Sequence, residues 1–287
     1  PPDRFAPDGQ NWHLPPPDPL SPGAQSAFAT LLAANMRHAG ALRIDHVMGL
    51  VRLFWIPDGA EARDGAYVSY PFDDLMGHLA LESGRARSLV VGEDLGTVPE
   101  GLRQRLAEEA VLSCRVLWFE RDDSRFRAPK EYPKLAVASV STHDLPTLAG
   151  WWLGRDWQER RELGMLCNDE PARRLADKHA LLEALTRAGL LTRPVDPDAA
   201  PTPELLVAVH AYLAGAPAML ALVQADDLAG AIAAVNLPGT DRERPNWRRK
   251  LDLPVELLFG TGSARAMLAA LARERSSQTP TRTACAK

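Results

Sequence analysis

Asp45 ends the short run Leu42-Arg43-Ile44-Asp45-His46, where a strand would pass its last side chain to solvent. Alternate strand residues share a face, so Arg43 and Asp45 are expected to point the same way, and a guanidinium beside a carboxylate favours the ionised form. An anionic Asp45 has the chemistry of a nucleophile. Such a group needs a partner to protonate what leaves, and Glu93 directly follows apolar Leu89-Val90-Val91-Gly92, where desolvation favours a protonated carboxyl. In retaining glycoside chemistry two such carboxyls lie roughly 5 to 5.5 Å apart. One forms a covalent glycosyl intermediate, and the other acts first as acid and then as base. Two more acidic strand ends, His143-Asp144 and Asp226-Asp227, extend the pattern. Each position also has a plainer reading, because a lone Asp at a strand end is commonly a helix cap, and His46 and His143 could be satisfied structural histidines.

Other chemistries find less support. The two histidines lie about a hundred residues apart, with no His-Glu-x-x-His and no Cys pair, so no metal site and no cofactor are expected. No Gly-x-Ser-x-Gly elbow or phosphate-binding glycine loop occurs. With 33 basic against 37 acidic residues the formal charge is -4, which gives no electrostatic case for nucleic acid or an anionic membrane and suits a small uncharged substrate. Cys114, Cys167 and Cys285 are odd in number and widely spaced, as expected of reduced thiols in a cytoplasmic protein.

Five short apolar runs would position the acidic residues: Ala41–Asp45, Ser88–Asp94, Val111–Phe119, Leu135–Thr142 and Ala218–Gln224. They suit strands buried on both faces. Helical stretches alternate with them, which predicts a parallel α/β sheet with its site at the C-terminal strand ends. Phe28, Leu31, Leu32 and Met36 recur at helical spacing over Ser26–His38, with Gly40 placed as a cap. Thr97-Val98-Pro99-Glu100 has capping-box spacing, and Thr202-Pro203 sets a hydroxyl before a first-turn proline. Leu205–Val223 is the one long apolar run, and His210, Tyr212, Gly215 and Pro217 break it into helix, turn and strand rather than a membrane span. Residues 1–23, rich in Pro, Gly and Asp, read as a long loop; the charged stretch from about Leu153 reads as a helical insertion; Ser276–Lys287 should fray. The N-terminus, Pro1-Pro2-Asp3-Arg4, carries neither Met nor a signal segment and reads as a start in mid-protein.

Taken jointly, several segments are specific: Gly9-Gln10-Asn11-Trp12, Leu42 to His46 with Gly49-Leu50, Gly92-Glu93-Asp94-Leu95-Gly96, Ser141-Thr142-His143-Asp144 with Thr147, Gly150, Trp151 and Trp152, and Val235 to Thr240 through Asn246-Trp247-Arg248. In this order they resemble the C-terminal part of an amylomaltase, the 4-α-glucanotransferase family of the α-amylase clan, over nearly the whole chain. The resemblance implies that Asp45 is the nucleophile, Glu93 the acid/base, and Asp144 a third carboxylate steadying the distorted sugar. Arg43, His46 and His143 would bind the sugar beside the scissile bond. Trp12 would stack on a glucose ring from a loop arching over the cleft, or else pin that loop; Asp3 is a candidate of the same kind. Asn236 would lie near the cleft or in a rigid turn supporting it. The sequence departs from the family pattern at His13, where many relatives have Gly, and at Leu145-Pro146, where Asn-Asp is frequent.

The implied fold is a (β/α)8 TIM barrel, of which this chain would carry about the last five β/α units plus a helical insertion, three strands lying upstream. Residues 1–260 would form the catalytic part, with loop 1–23 over the cleft and the insertion at about 153–200; residues 261–287 would be a terminal helix and frayed tail. The implied partners are α-1,4-glucans and maltooligosaccharides, with no nucleic acid and no membrane. An α-amylase-like retaining hydrolase and an inactive glucan-binding fragment are the competing readings.

Overall fold

The computed structural model describes residues 1–2, 8–18, 21–123, 125–165 and 170–278. Asp3, Cys167 and Cys285 lie outside the described residues, as does the tail from 279 onward. The chain divides into two units, Pro1–Cys114 and Arg115–Lys287.

In the first unit, α1 (Pro22–Met36) leads into β1 (Ala41–Ile44). A 3-10 turn at Val47–Leu50 then leads to the strands β2 (Arg52–Trp55) and β3 (Ala66–Ser69), which pair antiparallel as a hairpin. Next come α2 (Phe72–Ala86), β4 (Leu89–Gly92), α3 (Leu102–Glu108) and β5 (Leu112–Val116), whose last two residues belong to the second unit. β1 pairs parallel with β4, Ala41 opposite Leu89 through Ile44 opposite Gly92, and β4 pairs parallel with β5. Parallel neighbours require a crossover, and α2 and α3 supply it. Leu32 and Met36 of α1, Leu75, Met76 and Leu79 of α2, Val90 of β4 and Leu102 and Leu106 of α3 form one buried cluster with Val47 and Met48. Burying side chains of this size contributes roughly 1.5–3 kcal/mol each before entropy is counted.

Three local expectations need correction here. β1 is not buried on both faces: Ala41 and Arg43 are exposed, and among the described residues the strand pairs with β4 alone. Thr97 does not cap α3, which begins five residues later behind Gly101 in the left-handed region (φ +75°). α1 starts at Pro22, where the fixed proline φ suits a first turn, and ends four residues before Gly40.

The second unit opens with the hairpin β6 (Arg121–Asp122) and β7 (Arg125–Phe126), then β8 (Ala136–Ser139) and the short helix α4 (Leu148–Trp152). The insertion follows as α5 (Arg155–Glu162) and α6 (Glu170–Arg187), after which turns carry the chain to Thr202. The long apolar run resolves into α7 (Pro203–Ala214), a turn, and β9 (Leu220–Leu222), which pairs parallel with β8. As the sequence predicts, Thr202 caps α7, its hydroxyl accepting the Leu205 N–H at 3.2 Å. No helix among the described residues is long and apolar enough to cross a membrane. α8 (Ala225–Leu228), α9 (Val255–Leu258) and α10 (Gly262–Gln278) complete the unit, so Ser276 and Ser277 are helical rather than frayed. Trp152, Leu181, Leu185, Leu205, Val209 and Leu213 form its main core. β9 departs from the doubly buried expectation, since Leu222 is exposed.

Candidate active site

In the first unit the parallel ladder continues past β1 and β4 into the carboxylates. Glu93 N–H donates to the Ile44 carbonyl and Val47 N–H to the Glu93 carbonyl, both at 2.9 Å. Between them His46 turns into the left-handed region (φ 47°, ψ 58°), an uncommon conformation for a residue with a Cβ. The turn aims the His46 N–H at Glu93 Oε2, 2.8 Å away, while Leu95 N–H donates to Oε1 at 2.8 Å. Glu93 therefore grips the peptide that joins Asp45 to His46. Its side chain is buried and lies outside the lining of the neighbouring cleft, whereas Asp45 projects outward, held by Arg43 at 2.7 Å. Arg43 and Asp45 thus share a face as alternation requires.

Around this pair the supports are buried. Asp94, fully buried, takes Arg103 Nε on Oδ2 at 2.7 Å and the Cys114 N–H on Oδ1 at 2.8 Å, so it ties the segment after β4 to β5. The adjacent carboxylates Glu93 and Asp94 therefore differ in their partners, Glu93 accepting the backbone N–H groups of His46 and Leu95 while Asp94 anchors the segment to Arg103 and β5. Burial pushes the Cys114 thiol up to about 11, against the opposing pull of Arg43. Burial likewise lowers the His46 imidazole below its ordinary value, outweighing Glu93 and Asp45, which raise it.

A cleft of about 600 Å³ opens at this edge of the unit, a size usual for small-molecule sites. Trp12, Asp45 and His46 line it together with Pro15–Pro17, Leu95–Thr97 and the β2–β3 hairpin. Trp12 meets His46 edge to face at 5.6 Å between ring centroids, yet stays largely exposed. The hairpin was missed by the sequence reading, although Pro57-Asp58-Gly59 between two aromatic-bearing runs is a turn signal. Tyr70 joins hairpin to loop: its hydroxyl donates to the Pro17 carbonyl at 2.6 Å and accepts from Trp55 Nε1 at 3.2 Å.

In the second unit Asp144 lies five residues beyond β8. Asn236 Nδ2 donates to its Oδ1 at 2.7 Å, and His143 Nε2 stands 3.3 Å from its Oδ2. The Asn236 amide thus reaches Asp144, another of the candidate site residues, from a hydrogen-bonded turn. Asn246 braces that turn, its Oδ1 accepting the Leu237 N–H and the Arg244 guanidinium, its Nδ2 donating to Thr240. Trp247, in the left-handed region (φ 61°), lies 5.4 Å from the His143 ring. Gly150 is needed where the chain doubles back, since a Cβ there would stand 2.2 Å from the Ile232 carbonyl oxygen.

Asp226 and Asp227 leave the list of acidic strand ends. They lie in the first turn of α8, where Asp227 accepts the Leu148 N–H at 2.8 Å and faces His210 at 3.3 Å, wholly buried, and Asp226 pairs with Arg249. Asp227 thus ties α8 to α4 and α7, and Asp226 ties it to the irregular segment at Arg249. No group of three or more His, Cys, Asp or Glu among the described residues is arranged to hold a metal ion.

Comparison with known proteins gives this geometry its context. A profile described as 4-alpha-glucanotransferase matches residues 1–255. The chain is 44% identical over 269 residues to the 4-alpha-glucanotransferase of Haemophilus influenzae, an alignment covering 90% of this chain and 38% of that protein. It is 42% identical over 266 residues to that of Mycobacterium bovis, covering 88% and 36%. The crystal structure of amylomaltase from Corynebacterium glutamicum superimposes with a TM-score of 0.89 at 33% identity, over 94% of this chain and 41% of the other. The chain therefore spans well under half the length of these relatives. From the matched span and these identities, the chain belongs to the 4-alpha-glucanotransferase family.

Proposed function

We propose that the protein containing this chain transfers segments of an α-1,4-glucan to the 4-hydroxyl of another sugar by double displacement, with net retention. The carrying observation is the hold of Glu93 on the Asp45–His46 peptide, which supports reading the two carboxylates, one just past the end of each of two paired strands, as one catalytic pair. Asp45 would attack the anomeric carbon as the glycosidic bond breaks, Glu93 giving its proton to the departing oxygen. Both Glu93 oxygens already accept a backbone N–H, and each retains a second lone-pair direction for that proton. In the second step the acceptor hydroxyl attacks the anomeric carbon, Glu93 takes its proton, and the bond to Asp45 breaks.

Arg43 would keep Asp45 oriented and bind sugar hydroxyls with His46 and His143. Asp144, steered by Asn236, would hold the distorted ring, hydrogen bonds that tighten in the transition state lowering the barrier. Trp12 is proposed to stack on a sugar from the cleft rim, and Asp3 to contribute from the same loop. The parallel strands and the family membership support the wider reading, in which residues 1–260 are part of a (β/α)8 barrel, about its last five units, with a helical insertion at about 153–200, in a cytoplasmic enzyme. Maltotriose alone tests the activity: free glucose with a ladder of longer maltooligosaccharides is expected. Glucose and maltose with nothing longer than the donor would make the protein a hydrolase instead.

A further inference from the structure

We propose that one face of the β2–β3 hairpin, formed by Arg52, Phe54 and Tyr67, is a subsite for glucose rings beyond the one held at Asp45, and that it sets the preference for chain length. The inference rests on the glucan-transfer reading and adds a site to it. The pairing puts Phe54 opposite Tyr67 and Arg52 diagonal to it, so the three share a face. Phe54 meets the Tyr67 ring edge to face at 5.2 Å, and the Arg52 guanidinium lies 3.9 Å from its centroid. Tyr67 remains about two-fifths exposed, and all three residues line the cleft that contains Asp45. A hexose has an apolar C–H face and a rim of hydroxyls; an aromatic surface beside a guanidinium answers both, without requiring charge on the ligand.

The face is also fixed in advance. A Cβ at Gly65 would fall 2.4 Å from the Phe54 ring, so the glycine lets that ring pack down. Trp55, on the opposite face, is tied through Tyr70 to Pro17. Little side-chain entropy is left to lose on binding.

The test uses the full-length protein carrying this chain, with wild type, Tyr67→Ala, Arg52→Ala and Tyr67→Phe compared on maltotriose and maltoheptaose. For either alanine variant kcat/KM on maltoheptaose should fall about tenfold relative to that on maltotriose, and Tyr67→Phe should restore the ratio. Calorimetric binding of maltoheptaose should weaken in parallel, a readout that needs no turnover. A ratio equal to wild type in both alanine variants, or an equal loss on both sugars, would overturn the subsite. Wild type lacking the product ladder yet binding maltoheptaose through Tyr67 would refute the transferase reading while sparing this one.

Discussion

Replacing Arg103 with Met keeps the aliphatic stem and removes the guanidinium from Asp94. That carboxylate has no exposed surface, and Arg103 serves it twice, through Nε to Oδ2 at 2.7 Å and through a terminal nitrogen to its carbonyl at 2.9 Å. Breaking a fully buried ion pair costs about 3–5 kcal/mol. Half of the Arg103 side chain is exposed, however, so water replaces part of what it gives, and the expected cost drops to about 2 kcal/mol. At roughly 2–4 °C per kcal/mol for a chain of this size, calorimetry should find the melting temperature lowered by about 4–8 °C. Asp94→Asn removes the charge that the guanidinium neutralises while keeping an acceptor for the Cys114 N–H. The double variant should therefore be less destabilised than the two singles added together, by about 1 kcal/mol or more. Strict additivity, within about 0.5 kcal/mol, would refute the argument that Arg103 acts by neutralising Asp94.

Three more outcomes follow from the site. Asp45→Asn and Glu93→Gln should each lower turnover on maltotriose by a factor on the order of a hundred or more, Asp45→Asn with a melting temperature near wild type and Glu93→Gln with a stability loss of about 1–3 kcal/mol, because the amide offers one acceptor to two backbone N–H groups; ordinary rates in either would exclude the assigned role. Asn236→Ala removes the 2.7 Å bond to Asp144 and should reduce kcat about tenfold with little change in KM, whereas an effect confined to KM would mean that Asn236 only binds sugar. Burial holds the His46 pKa below its unfolded value, so between the two the unfolded chain binds the extra proton. His46 should therefore make stability decline as pH falls below about 6.5, and His46→Gln should flatten that decline in urea titrations; an unchanged slope would contradict the assignment.

The strand-end positions of the candidate carboxylates Asp45 and Glu93 were legible because an apolar strand pattern runs directly into each. Arg43 and Asp45 alternate on a strand, and Glu93 follows an apolar run, so both could be placed before any pairing was known. Asp226 and Asp227 misled the same rule: they too follow an apolar run, but the chain enters α8 immediately, and the first turn of a helix recruits carboxylates as readily as an active site does. The capping-box spacing at Thr97 failed because Pro99 and Gly101 impose a turn before the helix begins. Asn236 was recognised as part of a motif, but its hold on Asp144 spans 92 residues, and no local spacing encodes a contact of that range. The hairpin was missed because Arg52–Trp55 and Ala66–Ser69 are neither continuous apolar runs, as each carries a polar end residue, nor long enough for alternation to stand out.

The left-handed turn at His46 carries a consequence for the order in which this edge of the chain takes shape during folding. A residue with a Cβ pays roughly 1–2 kcal/mol to sit there, and the compensating bond comes from Glu93, 47 residues further along. While that loop is open the penalty is uncompensated, and the backbone after Asp45 relaxes into cheaper conformations. Only when β4 docks beside β1 does the Glu93 carboxylate arrive to hold the turn, and Asp45 gains a fixed direction in the same event. A nascent or partly unfolded chain therefore presents Asp45 on an unbraced backbone, and the local geometry around it is completed only by a contact that spans 47 residues.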